Sequence, residues 1–258
     1  MDLSSRFALD GAVWASWALQ LVLIGWVTAS GGGRAGRGRI GLPHATLGAA
    51  LLVVAAGWIW RLVYAFVLAS GGFRFWIGDD AVRWLNAWRW SQEPFLLLPG
   101  DPWLVGPYVL HGSAMALLGD PILATRLLAS ALCVLPLVGV FLLAQALYRS
   151  PAVSALSAAI LAPHWLHVLL GTGTMTELPL VGLLLGGLAL QLIAERDGTR
   201  APAWAGALCL ALATSLHMVA WILTAVVQLG LLWAALRSDR GPLRGRLLAW
   251  AGPAALSG

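Results

Sequence analysis

The chain contains no lysine, only two cysteines and only 10% charged residues over 258 positions. Each scarcity excludes something. A soluble globular domain carries about 25% charged residues, so this usage, set against 60% hydrophobic residues, points to an integral membrane protein with repeated spans. Because every basic residue is Arg, the net charge of +5 reads as the bias of an Ala/Gly/Arg-rich chain. The Arg residues sit mostly in short loops between apolar runs, not among stacking aromatics on a solvated surface, so no nucleic-acid partner is expected. Cys133 and Cys209 lie deep in apolar runs with no His or Cys at metal-ligand spacing, and small apolar filler is their expected role. No cleavable signal peptide is expected either, because the first apolar run follows acidic residues and is long enough to span.

What is present is a series of apolar runs. With about 20 apolar residues per bilayer crossing, spans are expected near 12 to 30, 46 to 69, 126 to 148, 152 to 170, 177 to 194, 202 to 216 and 218 to 236. An eighth begins near 247 and breaks off at Gly258. The expected fold class is therefore all-α integral membrane, a bundle of about seven spans plus a partial eighth. Residues 1–45 read as an extra N-terminal span followed by the Gly/Arg linker SGGGRAGRGRIG, and 46–258 as the main transmembrane domain, C-terminally incomplete.

Loop Arg residues give the orientation. Ten of them (Arg34, Arg37, Arg39, Arg149, Arg196, Arg200, Arg237, Arg240, Arg244 and Arg246) fall on one side, against five on the other (Arg6, Arg74, Arg83, Arg89 and Arg126). The first side is cytoplasmic by the positive-inside rule. The same alternation places eight of the eleven acids outside, among them Asp79, Asp80, Asp120 and Glu177. The expected location is the inner (plasma) membrane, multi-pass, with the active face extracytoplasmic.

Residues 70 to 125 form the one sizeable non-spanning region and the place to look for function. Polar Asp79, Arg83, Asn86 and Glu93 recur at helical spacing, opposed by Ala81, Trp84, Leu85 and Trp88, which predicts an interfacial helix. Trp76, Trp84, Trp88, Trp90 and Trp103 suit headgroup depth. Pro94, Pro99, Pro102 and Pro107 then cut the chain into short pieces, giving a lid or floor at the membrane surface.

Two readings of the pair in GDDAVRW stay open. Asp79 and Asp80 either cap the interfacial helix or present a carboxylate that can act as a general base. Glu177, in GTGTMTELP, has the capping-box spacing from Thr174, yet it would lie on the same outer face as Asp79. Arg61 falls inside a span in WIWRLVY, where an Arg either pairs within the bundle or marks a functional site. Arg126, at the outer start of a span, is either an interfacial anchor or a phosphate ligand. His164 and His167 share one helix face at i,i+3 without a nearby carboxylate, so interfacial polar roles are favoured over metal. His217 marks the break between two spans, and His111 carries no signal.

The order of these features resembles the membrane-embedded GT-C glycosyltransferases, especially the polyprenyl-phosphate-sugar-dependent group that includes protein O-mannosyl-, aminoarabinose- and galacturonosyltransferase-like proteins. Three stretches carry the resemblance over about residues 46 to 236: Arg61 followed by GDDAVRW, the segment GDPILATRLLASALCVLPLVGVFLLAQALYR, and TMTELPLVGLLLGGLAL followed by ALATSLHM. The resemblance implies a sugar arriving on a lipid-phosphate donor and an acceptor lipid, glycan or protein deprotonated by an outer-loop carboxylate. It implies Asp79 or Asp80 as that carboxylate, with Asp80 matching the second acidic position, and Glu177 as the second-loop carboxylate. It also implies Arg126, with Arg61 and His217, at the donor phosphate; related sequences often carry Lys where this chain has His217. No cofactor is required, although a divalent cation such as Mg²⁺ or Mn²⁺ would fit if Asp79, Asp80 and Glu177 converged. Two rival readings are a transporter or flippase, which internal repeats and interrupted midplane helices would mark, and a truncated, non-catalytic membrane protein.

Overall fold

The computed structural model describes residues 44–71, 78–95 and 104–237. The expected spans at 12 to 30 and from 247, the Gly/Arg linker, and Trp76, Pro99, Pro102 and Trp103 lie outside the described residues. Among the described residues every regular element is a helix. Helix α1 is His44–Ser70, α2 Gly78–Gln92, α3 Gly106–Leu118, α4 Pro121–Leu132 and α5 Val134–Tyr148. Helix α6 is Pro151–Leu161, α7 Trp165–Leu170, α8 Glu177–Asp197, α9 Arg200–Leu216 and α10 Val219–Arg237.

Local chemistry sets several of these ends. Asp120 is extended and its carboxylate accepts from Ile122 N at 2.9 Å and Leu123 N at 3.0 Å, with Pro121 opening α4. The Asp of the GDPILATR stretch is therefore occupied as a cap. Ser150 caps α6 in the same way through Val153 N, again ahead of a proline. Pro94 follows the end of α2, and Pro107 sits in the first turn of α3.

Among the described residues two stretches are long and apolar enough to cross a membrane: the 28 residues Pro121–Tyr148, broken only at Cys133, and the 21 residues Glu177–Asp197. Shorter apolar stretches occupy Val54–Val67, Pro151–Leu161 and Val219–Gly230. The expected span at 152 to 170 is divided instead. Pro163 has no N–H to donate to the preceding turn, so α6 stops after 11 residues and the six-residue α7 restarts beyond His164.

Packing runs in a row: α1 against α6, α6 against α5, α5 against α8, and α8 against α9. The α5–α8 crossing depends on small residues. A Cβ at Gly182 would stand 2.4 Å from the backbone carbon of Leu135 and 2.5 Å from Pro136 N, so only glycine lets these helices approach so closely. Helices α2 and α3 pair with each other, and α4 joins α3 to α1.

Helix α2 has an inverted exterior. Its buried residues are Asp80, Arg83, Asn86 and Ala87, while Val82, Leu85 and Trp88 are exposed. Of the polar set expected on one solvated face, Asp79 and Glu93 are exposed but Arg83 and Asn86 turn inward. Such a helix loses apolar burial if its outer face meets water, and recovers it if that face meets an apolar medium.

Candidate functional site

Asp80 is the buried centre of the site, 1% exposed in the first turn of α2. Its carboxylate reaches the facing segment ahead of α8. Oδ1 accepts from Thr174 N at 2.6 Å and lies 2.7 Å from Thr174 Oγ1, which is also 2.8 Å from the Asp80 main-chain oxygen. One hydroxyl proton serves those two acceptors in turn. Gly173 makes room for this contact, since a Cβ there would stand 2.7 Å from both carboxylate oxygens.

One turn along α2, Arg83 does the same with the next turn of the facing segment. Its Nη1 donates to Glu177 Oε1 at 3.3 Å and to Oε2 at 3.4 Å, and lies 3.5 Å from Thr176 Oγ1. Residues 80 and 83 thus engage 174 and 177 in matching i,i+3 register. The capping box expected between Thr174 and Glu177 does not form. The Thr174 hydroxyl is turned to Asp80 and the Glu177 carboxylate to Arg83, and the N-cap position of α8 falls to Thr176, whose side chain makes no capping hydrogen bond.

Arg126 completes the charge arrangement. It is buried on α4, donates from Nη1 to Ala65 O of α1 at 2.7 Å, and feels the charge of Asp80. A small crevice of about 10 Å³, room for roughly one water, is lined by Asp80, Trp84, Ile122, Thr125, Arg126, Thr172 and Gly173. The structure therefore brings Asp80 and Arg126 to one crevice wall. It places Asp79 on the exposed side of α2 and Glu177 in an ion pair beside the crevice.

Arg61 and His217 are elsewhere. Arg61 is completely buried, donating to Gly57 O, to Ala162 O at 2.8 Å, and to His167 Nδ1. That contact requires His167 to accept at Nδ1 and so to keep its proton at Nε2. Arg61 thereby fastens α1 to the α6–α7 break, and His167 becomes its partner. His164 supplies the N-cap position of α7. His217, extended between α9 and α10, accepts from Val219 N at 3.2 Å. Among the described residues no three His, Cys, Asp or Glu side chains converge to hold a metal ion, because Glu177 is committed to Arg83 and Asp79 faces outward.

The sequence reading missed Gly173, Thr174 and Arg83 as parts of this site. The matching spacing of Asp80 to Arg83 and Thr174 to Glu177 is visible in the sequence, but nothing local indicates that the two turns meet 94 residues apart. Comparison of the chain with protein-family models, with curated proteins and with solved structures yields no match.

Proposed function

We propose that the protein is a multi-span membrane glycosyltransferase of GT-C type that moves a sugar from a lipid-phosphate donor to an extracytoplasmic acceptor at the Asp80–Arg126 crevice. One observation carries this reading: a buried carboxylate and a buried guanidinium share a crevice at the starts of the two membrane-length stretches among the described residues, Pro121–Tyr148 and Glu177–Asp197. Crevice residues 122, 125 and 126 open the first, and 172 and 173 lead into the second. Chemistry at that level can meet a lipid headgroup on one side and a water-borne acceptor on the other. The outward apolar stripe of α2, Val82, Leu85 and Trp88, supports a helix lying in the membrane surface.

Asp80, not Asp79, takes the base role in this proposal, because it lines the crevice. The acceptor oxygen attacks the anomeric carbon, its proton passes to the Asp80 carboxylate, and the bond from that carbon to the phosphate oxygen breaks. The lipid phosphate leaves with its negative charge offset by Arg126. The phosphate is already a good leaving group, so positioning and charge neutralisation are the main demands on the protein. Arg61 and His217 have no part in this step.

A second reading, a non-catalytic membrane scaffold, is favoured by the same bonds seen differently: Asp80 to Thr174 and Arg83 to Glu177 staple α2 to the bundle. One experiment separates the two. The full chain in nanodiscs is given a panel of isotopically labelled polyprenyl-phosphate sugars with membrane and cell-envelope acceptors. Wild type is expected to release lipid phosphate and label an acceptor, and Asp80→Asn to lose at least 100-fold of that transfer while staying folded. If no donor in the panel is consumed, and Asp80→Asn changes only thermal stability, the scaffold reading replaces the enzyme.

A further inference from the structure

Resting on that reading, we infer that Gly173 and Thr174 form a cradle that positions the Asp80 carboxylate in the crevice. Three features converge on the Asp80 carboxylate. The main-chain N–H of Thr174 and its hydroxyl both address Oδ1, at 2.6 and 2.7 Å. The absent side chain of Gly173 leaves the space that both carboxylate oxygens enter, and any Cβ there would sit 2.7 Å from each. Gly173 and Asp80 are moreover both walls of the crevice. Thr174 is itself 1% exposed, so its hydroxyl is held in place rather than exchanging with bulk water.

An Asp side chain has two torsions and would otherwise sample several orientations about its Cα. Two donors on one oxygen fix both torsions, and they come from a different part of the chain than α2. The cradle thus ties the direction of the carboxylate to the docking of α2 on the 171–177 segment. Asp79, one position earlier and exposed, has no such support among the described contacts. The cradle therefore selects between two chemically identical neighbours. Thr174 and Gly173 are positioning residues: they touch Asp80, and through it they set where an acceptor proton can go.

The test uses Thr174→Ser, Thr174→Val and Gly173→Ala in the full chain, with two readouts. The first is modification of Asp80 by a hydrophobic carbodiimide, read by peptide mass spectrometry with Asp79 and Glu177 as internal references. The second is sugar transfer across a pH series, beside Asp80→Asn. Thr174→Ser keeps both donors and is expected to match wild type in both readouts. Thr174→Val is nearly isosteric but loses the hydroxyl; it should raise Asp80 labelling at least 3-fold relative to Asp79, lower transfer at least 10-fold and displace its pH profile. Gly173→Ala should lower transfer at least as much. If Thr174→Val leaves labelling, rate and pH profile unchanged while Asp80→Asn abolishes transfer, the cradle is overturned and the enzyme reading stands. If Asp80→Asn itself transfers normally, the enzyme reading falls and takes the cradle's role with it.

Discussion

Arg83 Nη1 stands 3.3 Å from Glu177 Oε1, and the two ends of this pair differ in exposure: 3% for the Arg side chain and 37% for the Glu. The asymmetry matters because an unpaired charge costs more the more deeply it is buried. Glu177 stripped of its partner can turn to solvent, whereas Arg83 cannot.

A double-mutant cycle of Arg83→Met and Glu177→Gln measures the pair directly. Partial exposure of Glu177 limits the coupling to about 1 kcal/mol, and the single change Glu177→Gln should cost the stability of the α2 docking more than its exposure suggests. Thermal unfolding in detergent reads both. A coupling near zero would mean that Arg83 is held by Thr176 and its other contacts and that Glu177 is free for another role.

The α5–α8 crossing gives a prediction independent of function. Gly182→Ala drives a methyl group to 2.4 Å from the Leu135 backbone, which cannot rotate away as a side chain can. A loss of about 3 kcal/mol is expected, the upper end of ordinary overpacking. Gly230→Ala on α10 is the control: nothing lies within 4 Å of its Cβ position, and the better helix propensity of Ala should leave stability equal or up to about 1 kcal/mol higher. Equal melting temperatures for the two variants would remove the close crossing.

Much of the helical frame was legible because its signals are local. The long Leu/Val/Ala run from 177 predicts α8 within a few residues, whereas the expected span at 126 to 148 takes in the end of α4 with all of α5 and passes over the break at Cys133; Asp120 and Ser150, each ahead of a proline, are local start signals for α4 and α6 that hydropathy does not register. The split at Pro163 was legible in principle, yet the surrounding apolar run from 152 to 170 hides it when hydropathy alone is averaged. The site was legible only as a collection of residue types. That Asp80 faces inward and Asp79 outward follows from which side of α2 meets the 171–177 segment, a long-range fact with no local trace. The same holds for Arg61: its place inside an apolar run marks it as needing partners, but Ala162 and His167 lie 101 and 106 residues away. An Arg among apolar neighbours must be satisfied, but local sequence does not say by what.

Arg61 therefore invites a substitution that separates structure from chemistry. Arg61→Lys keeps the charge but replaces a planar fork by a point donor that cannot reach Gly57 O, Ala162 O and His167 Nδ1 together. One acceptor is left without its partner, at a cost of about 1–3 kcal/mol. The expected result is a lower melting temperature and, under the proposed function, sugar transfer per folded molecule preserved. A transfer defect at full stability would return Arg61 to the donor-phosphate role that the family resemblance implies.

His111 on α3 supplies the pH dependence. It is 3% exposed with no hydrogen-bond partner for Nδ1, and burial pushes its imidazole down from the ordinary 6.5 to about 4. Between those two values the unfolded chain binds a proton that the folded protein refuses, so stability rises with pH across this window and is lost as pH falls through it. The full loss is about 3 kcal/mol, reached near pH 4 and constant below. His111→Gln carries no titrating proton, so its melting temperature should fall less steeply than that of wild type between pH 6.5 and 4 and differ from it by a constant offset above pH 7. Parallel acid limbs in the two proteins would show that His111 is not the group that resists protonation, and would shift attention to the other imidazole buried among the described residues, His167, whose Nδ1 is already committed to Arg61.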